Sequence, residues 1–167
     1  LDEQAAYVLF FNNAIAADFG SSFPNLYQAV LDGTWTIDTL YNLAGAVSDN
    51  MDGKEEYTDE DKYGLGITWL ANYFQYFGVY QVGKSKDSFG NEVFALTIEN
   101  DKVQAIVEKM LYATKNPNSI RTSWEGGWGA IGLAFAEDRL LFYSEVLQKT
   151  FTIDISVDYG ILPFPKL

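Results

Sequence analysis

Apolar and polar positions fall along this chain in blocks whose periods name the elements. Residues 6–12, Ala-Tyr-Val-Leu-Phe-Phe-Asn, are a continuous apolar run ending in the polar pair Asn12 and Asn13. A strand buried on both faces reads this way, because neither side meets water. Residues 26–31 carry a short helix that Gly33 stops. Thr36 is a good N-cap, and Ile37, Leu40, Tyr41, Ala44 and Val47 recur at helical spacing, so a helix is predicted over 37–48. An acidic, polar surface loop follows at 49–61.

Residues 63–68 predict a strand, and 69–77 a helix rich in rings (Trp69, Tyr73, Phe74, Tyr76, Phe77) that Gly78 terminates. The stretch 82–98 reads as a β-hairpin with Phe89-Gly90-Asn91 near its turn. The clearest helix is 100–116, where Val103, Ile106, Val107, Met110 and Leu111 form one apolar stripe and Asn116-Pro117 ends it. Residues 119–129 read as a loop, 130–137 as a helix, 140–143 as a strand and 157–162 as a last strand. Four or five strands mixed with five or six helices define an α/β fold, helices packed on a small mixed sheet. No internal repeat or linker divides the chain, which predicts a single domain over 1–167. Pro163-Phe164-Pro165 has the stiff, extended character of a crossing between lobes.

Composition narrows the chemistry. The 167 residues carry 23 acids against 11 bases, a formal charge of −12, which disfavours nucleic acid and anionic lipid as partners. With no cysteine and no histidine, disulfides, thiol catalysis, Ser-His-Asp triads and the usual zinc sites are excluded from this chain. No apolar run approaches the ~20 residues of a membrane span. The chain opens Leu1-Asp2-Glu3-Gln4 without a basic, apolar leader, as an excised domain or a mature secreted protein would. Tyr (11), Phe (12) and Trp (4) are abundant enough to build a core and still leave a few rings for a ligand surface.

Several motifs, taken in order, resemble the extracellular solute-binding proteins of sugar-importing ABC systems. Phe11-Asn12-Asn13 stands for the family's aromatic-Asn-Lys triplet, without its Lys. Trp35-Thr36 matches the Trp-Thr helix start, Asp61 to Leu65 the Asp-x-Tyr-Gly-Leu strand start, and Gly160 to Lys166 the Gly-Ile-Leu-Pro-Phe-Pro-Lys return strand. Phe135-Ala-Glu-Asp138 puts Asp where the family's Phe-x-x-Gly has Gly, a substitution that matters if the position needs φ > 0. The resemblance implies the second lobe of a two-lobe protein, its N-terminal lobe missing here. It implies a small-molecule ligand, a carbohydrate or oligosaccharide, and delivery to ABC permease subunits. Catalysis, cofactor and metal are not implied, and the full protein is expected to be extracellular, lipid-anchored at the cell surface or periplasmic.

The resemblance also maps ligand-facing groups onto strand ends: Asn12, Thr68, Trp69, Tyr143 and Ser144. General physics agrees, since open α/β sheets bind at the carboxyl ends of their strands. A sugar offers an apolar ring face for Trp or Tyr and a rim of hydroxyls for Asn or Ser. Trp124 and Trp128 flank Glu125-Gly-Gly; two rings pinning a loop to the core is the favoured reading, a mobile aromatic loop the other. Ser48-x-Asn50-x-Asp52-Gly53 faintly resembles a calcium loop, but Asp59 stands where a bidentate Glu belongs, so an acidic turn is expected. The acids cluster in loops and on helix faces, and none is singled out as a general acid. The alternatives to a binding lobe are a carbohydrate-active enzyme or its accessory carbohydrate-binding domain, and a self-contained adhesion or scaffold domain.

Overall fold

Strand β1 forms where the first apolar run demands it. The computed structural model describes residues 6–67, 69–80, 82–96, 101–122, 124–148 and 157–167, with residue 128 by its backbone alone. β1 spans Tyr7–Asn12, and its last four residues are buried. β6 (Leu140–Val146) lies antiparallel beside it, Phe10 opposite Tyr143 and Phe11 opposite Phe142. β7 (Tyr159–Leu162) flanks β1 on the other side. β2 (Tyr63–Ile67) pairs in parallel with β6 and with the short β5 (Ile120–Arg121). The order is β5-β2-β6-β1-β7, a mixed sheet in which β1 alone runs against the other four.

Helices cover both faces, giving the mixed α/β architecture. On one face α1 (Asn13–Asp18), α2 (Leu26–Leu31), α3 (Ile37–Gly45), α4 (Tyr73–Tyr76) and α5 (Asp101–Lys115) surround a core that includes Leu9, Phe11, Ile37, Leu40, Leu65, Ile106 and Phe142. On the other, α6 (Gly127–Ala136) packs Ile131 and Phe135 against Phe10 and Tyr143. Contact is close: a Cβ on Gly64 would lie 2.0 Å from the Ala44 carbonyl oxygen, so α3 rests directly on the backbone of β2.

Several boundaries differ from the periodic reading. The ring-rich stretch after β2 splits into a 3-10 turn, Leu70–Asn72, and the single-turn α4. β6 runs three residues further than its apolar block, through Ser144 and Glu145, because both faces of it are covered there. β5 and the start of α6 occupy the predicted loop 119–129; β5 is two residues long and α6 begins without a side-chain cap. The stripe on α5 is only half used, Ile106 buried but Val107 and Leu111 exposed. β3 (Val82–Lys86) and β4 (Glu92–Leu96) form the expected hairpin as a separate two-stranded sheet, its turn organised by Asp87 Oδ1, which accepts from the N–H groups of Phe89 and Asn91 at 2.9 Å each.

The acidic loop is less solvated than its composition suggests. Asp61 is fully buried, and its carboxylate accepts from the N–H groups of Met51 (2.7 Å), Asp52 (3.3 Å) and Thr58 (2.6 Å). In the calcium-like stretch, Asn50 Oδ1 accepts from Gly53 N and Asp52 Oδ1 from Lys54 N, so those oxygens serve the turn itself. The tail 163–166 is not a free crossing here. Trp35 Nε1 donates to the Pro163 carbonyl at 3.1 Å, Lys166 N to the Trp35 carbonyl, and Ile37 N to the Lys166 carbonyl, so the segment is laced to the start of α3. No helix among the described residues is long and apolar enough to cross a membrane.

Candidate functional site

The strand register sets Ile67, Ser144, Leu9 and Leu162 side by side in one row across four strands. Beyond that row the carboxyl ends of β2, β6 and β7 and the start of β1 share one edge of the sheet. Trp69 follows β2 at this edge and is 49% exposed. Tyr7 opens β1, and Pro163 and Phe164 follow β7.

Tyr76, on α4, joins these pieces. Its hydroxyl lies 3.3 Å from Ser144 Oγ, and its ring sits 5.5 Å from Tyr7 and 3.9 Å from Phe164, centroid to centroid. Burial pushes its phenol pKa up to about 12, against the pull of the hydrogen bonds from Ser144 and Asn72. Between these rings runs a groove of about 520 Å³ lined by Tyr7, Val8, Gln75, Tyr76, Pro163 and Phe164. Past Phe164 it neighbours a cavity of about 810 Å³ that adds Asp101, Lys102 and Lys166 to the lining. Both volumes fall within the roughly 300–1,000 Å³ of small-molecule sites.

The expected residues divide between this edge and elsewhere. Trp69 and Ser144 lie on it, although Ser144 is fully buried, its hydroxyl 3.3 Å from that of Tyr76. Tyr143 is buried against Phe10 and Phe135 on the α6 side, and its hydroxyl donates to Glu145 Oε2 at 3.2 Å. Burial, and then the Glu145 carboxylate, raise that phenol well above its ordinary range. Asn12 lies at the opposite edge of the sheet, opposite Tyr159. It is fully buried, caps α1 by accepting from Ile15 N at 3.0 Å, and donates to Asp138 Oδ1 at 2.6 Å. Thr68 lies outside the described residues. Trp124 packs edge-on against Tyr63 at 5.8 Å, which ties its loop to the core; the side chain of Trp128 lies outside the description.

Tyr7, Gln75, Tyr76 and Phe164 were not among the expected residues. The rule that ligands sit at carboxyl ends presumes parallel strands. β1 runs the other way, so its amino end faces this edge and its carboxyl end, with Asn12, faces away. The signal for Tyr76 and Gln75 was present in the ring-rich block after β2, once the edge was known.

With this geometry in hand, comparison with solved structures is informative. The maltose/maltodextrin-binding domain MalE from Bdellovibrio bacteriovorus, bound to maltotriose, matches with a TM-score of 0.61 at 13% identity, over 94% of this chain and 36% of that one. MalX from Streptococcus pneumoniae, in complex with maltopentaose, matches at 0.55 and 18%, over 95% and 38%. The S. pneumoniae ABC-transporter substrate-binding protein FusA, in complex with kestose, matches at 0.58 and 14%, over 98% and 32%. No protein-family model and no curated protein matches the sequence. At such identities the likeness is one of fold. The chain has the fold of sugar-binding ABC substrate-binding proteins, over a share the size of one lobe. It spans 32–38% of the length of these three.

Proposed function

We propose that this chain is the second lobe of a two-lobe, non-catalytic solute-binding protein that captures a carbohydrate outside the cell, or in a periplasm, for an ABC importer. Its ligand would lie against the edge that carries Trp69, with the other lobe closing over it. The observation that carries the reading is this edge itself: it carries a half-exposed Trp69 ring and, on the same edge, a groove lined by Tyr7, Tyr76 and Phe164, in a fold whose solved examples hold maltotriose, maltopentaose and kestose. Indole faces cover the apolar side of a sugar ring. Ser144 contributes by holding Tyr76, while Asn12 and Tyr143 contribute framework.

The test uses the full-length protein and calorimetry with neutral oligosaccharides. Trp69→Ala is expected to weaken binding at least about tenfold, a cost near 1.4 kcal/mol, with the melting temperature nearly unchanged. A parallel loss of stability and affinity would make Trp69 part of the core instead. Chromatography of the recovered sugar separates the enzyme alternative, since a receptor returns its ligand intact and a hydrolase returns shorter products.

A further inference from the structure

The β3–β4 hairpin stands apart from the five-stranded sheet, and a two-stranded unit of this kind is marginal in water unless a face of it is covered. Its two faces differ. Gly83 and Ala95 pair across the strands and are half-buried, whereas the opposite face is exposed in every row. That face consists of three cross-strand pairs: Val82 with Leu96, Lys84 with Phe94, and Lys86 with Glu92. Its chemistry changes steadily along the strands, from apolar through mixed to fully charged. Lys84 Nζ also reaches Glu92 Oε2 at 3.0 Å, an exposed ion pair that contributes little by itself. Two lysines thus stand against one glutamate on this face, in a chain whose formal charge is −12. Two copies of so acidic a chain repel over most of their surface and approach at least cost here.

We infer that this face is a homodimer interface, on which a second copy of the chain packs its own hairpin about a two-fold axis parallel to the strands. Such an axis sets β3 of one copy over β4 of the other and keeps every row at its own level. Each row is then its own complement. Val82 meets the second copy's Leu96, Lys84 lies on the second copy's Phe94 ring, and Lys86 meets the second copy's Glu92. Every contact occurs twice. An axis across the strands would reverse the rows and set Val82 and Leu96 against the charged end, so the pattern selects the first arrangement. The six side chains expose on the order of 700 Å², near the roughly 800 Å² per partner of a standard interface. Phe89, exposed at the turn, extends the surface further. The inference is independent of the carbohydrate reading, because the hairpin belongs neither to the Trp69 edge nor to the groove beside Tyr76.

Sedimentation equilibrium of the full-length protein is expected to show a reversible rise from the mass of one chain to that of two over about 1–100 µM, as suits an interface of this size. Lys86→Glu and Glu92→Lys, each alone, set like charges face to face at two points and should weaken the dimer at least about tenfold. Combined in one chain they should restore it. An equimolar mixture of the two single variants should form a heterodimer as tight as the unaltered dimer, since one copy then brings two carboxylates to that row and the other two ammonium groups. Phe94→Ser with Leu96→Thr should leave a monomer throughout. A constant monomer mass in the unaltered protein overturns the proposal; if hydroxyl-radical footprinting then finds Phe94 and Leu96 protected, another part of the full-length chain covers them. A dimer indifferent to the charge variants overturns this face as the interface. Single variants that stay monomeric when mixed overturn the two-fold arrangement.

Discussion

At the scale of single residues, Asn12 and Asp138 are a matched pair. Asp138 adopts φ = 56°, a left-handed conformation in which glycine costs least, and Asn12 donates to its carboxylate. The position where the resemblance calls for Gly thus keeps the geometry with Asp, and the hydrogen bond offsets the strain. Asn12→Ala removes both the cap of α1 and this bond, and is expected to cost about 2 kcal/mol in urea denaturation. Sugar affinity should not change, because the residue lies at the edge remote from Trp69. Asp138→Gly relieves the backbone while losing the bond, so its net effect should stay within about 0.5 kcal/mol. Of the five site residues read from the sequence, Trp69 and Ser144 lie on the edge because Trp69 follows β2 and Ser144 sits towards the carboxyl end of β6, both strands that run parallel to β7. Asn12 does not, because strand direction is a property of the pairing partner and leaves no trace in the strand's own residues.

At the scale of elements, most of the fold was legible, and two of its exceptions share a cause. β1, α2, α3, β2, the hairpin, α5 and β7 all follow from apolar period plus a cap or a breaker: Thr36 accepts from Thr39 N, and Gly33 and Gly78 take positive φ. β5 and the first turn of α6 were hidden because neither has period or cap. Two residues cannot display alternation. Where helix meets sheet, the clearance at Gly64 is the sharp constraint, and Gly64→Ala is expected to cost about 3 kcal/mol by lifting α3 from β2. The hairpin is the opposite case. Val82, Phe94 and Leu96 are 52%, 79% and 73% exposed on one face of it, so Phe94→Ser with Leu96→Thr should leave stability within about 0.5 kcal/mol. The same double variant should delay the onset of aggregation in light scattering, since exposed apolar strands template association.

At the scale of the whole molecule, a core built on tyrosine makes the fold sensitive to alkali. Burial pushes the phenols of Tyr63 and Tyr76 up to about 12, and it raises those of Tyr41, Tyr73 and Tyr143 well above their ordinary range. In the unfolded chain the same groups titrate near 10. The folded state therefore holds protons that the unfolded state has released, so their contribution is complete below pH 10 and is lost as pH climbs through 12. Urea midpoints measured from pH 8 to 12 should be level at first and then fall, and Tyr76→Phe should make the fall shallower; a level profile to pH 12 would contradict the buried phenols. The ring of Phe164 has a consequence of another kind. It is at once a wall of the groove and part of the aromatic nest with Tyr73, Tyr76 and Phe77 that seats the laced tail. A molecule that settles in the groove and a force that tugs the tail therefore act on one shared wedge. Whatever steadies the wedge for one steadies it for the other, by the same free energy in both directions.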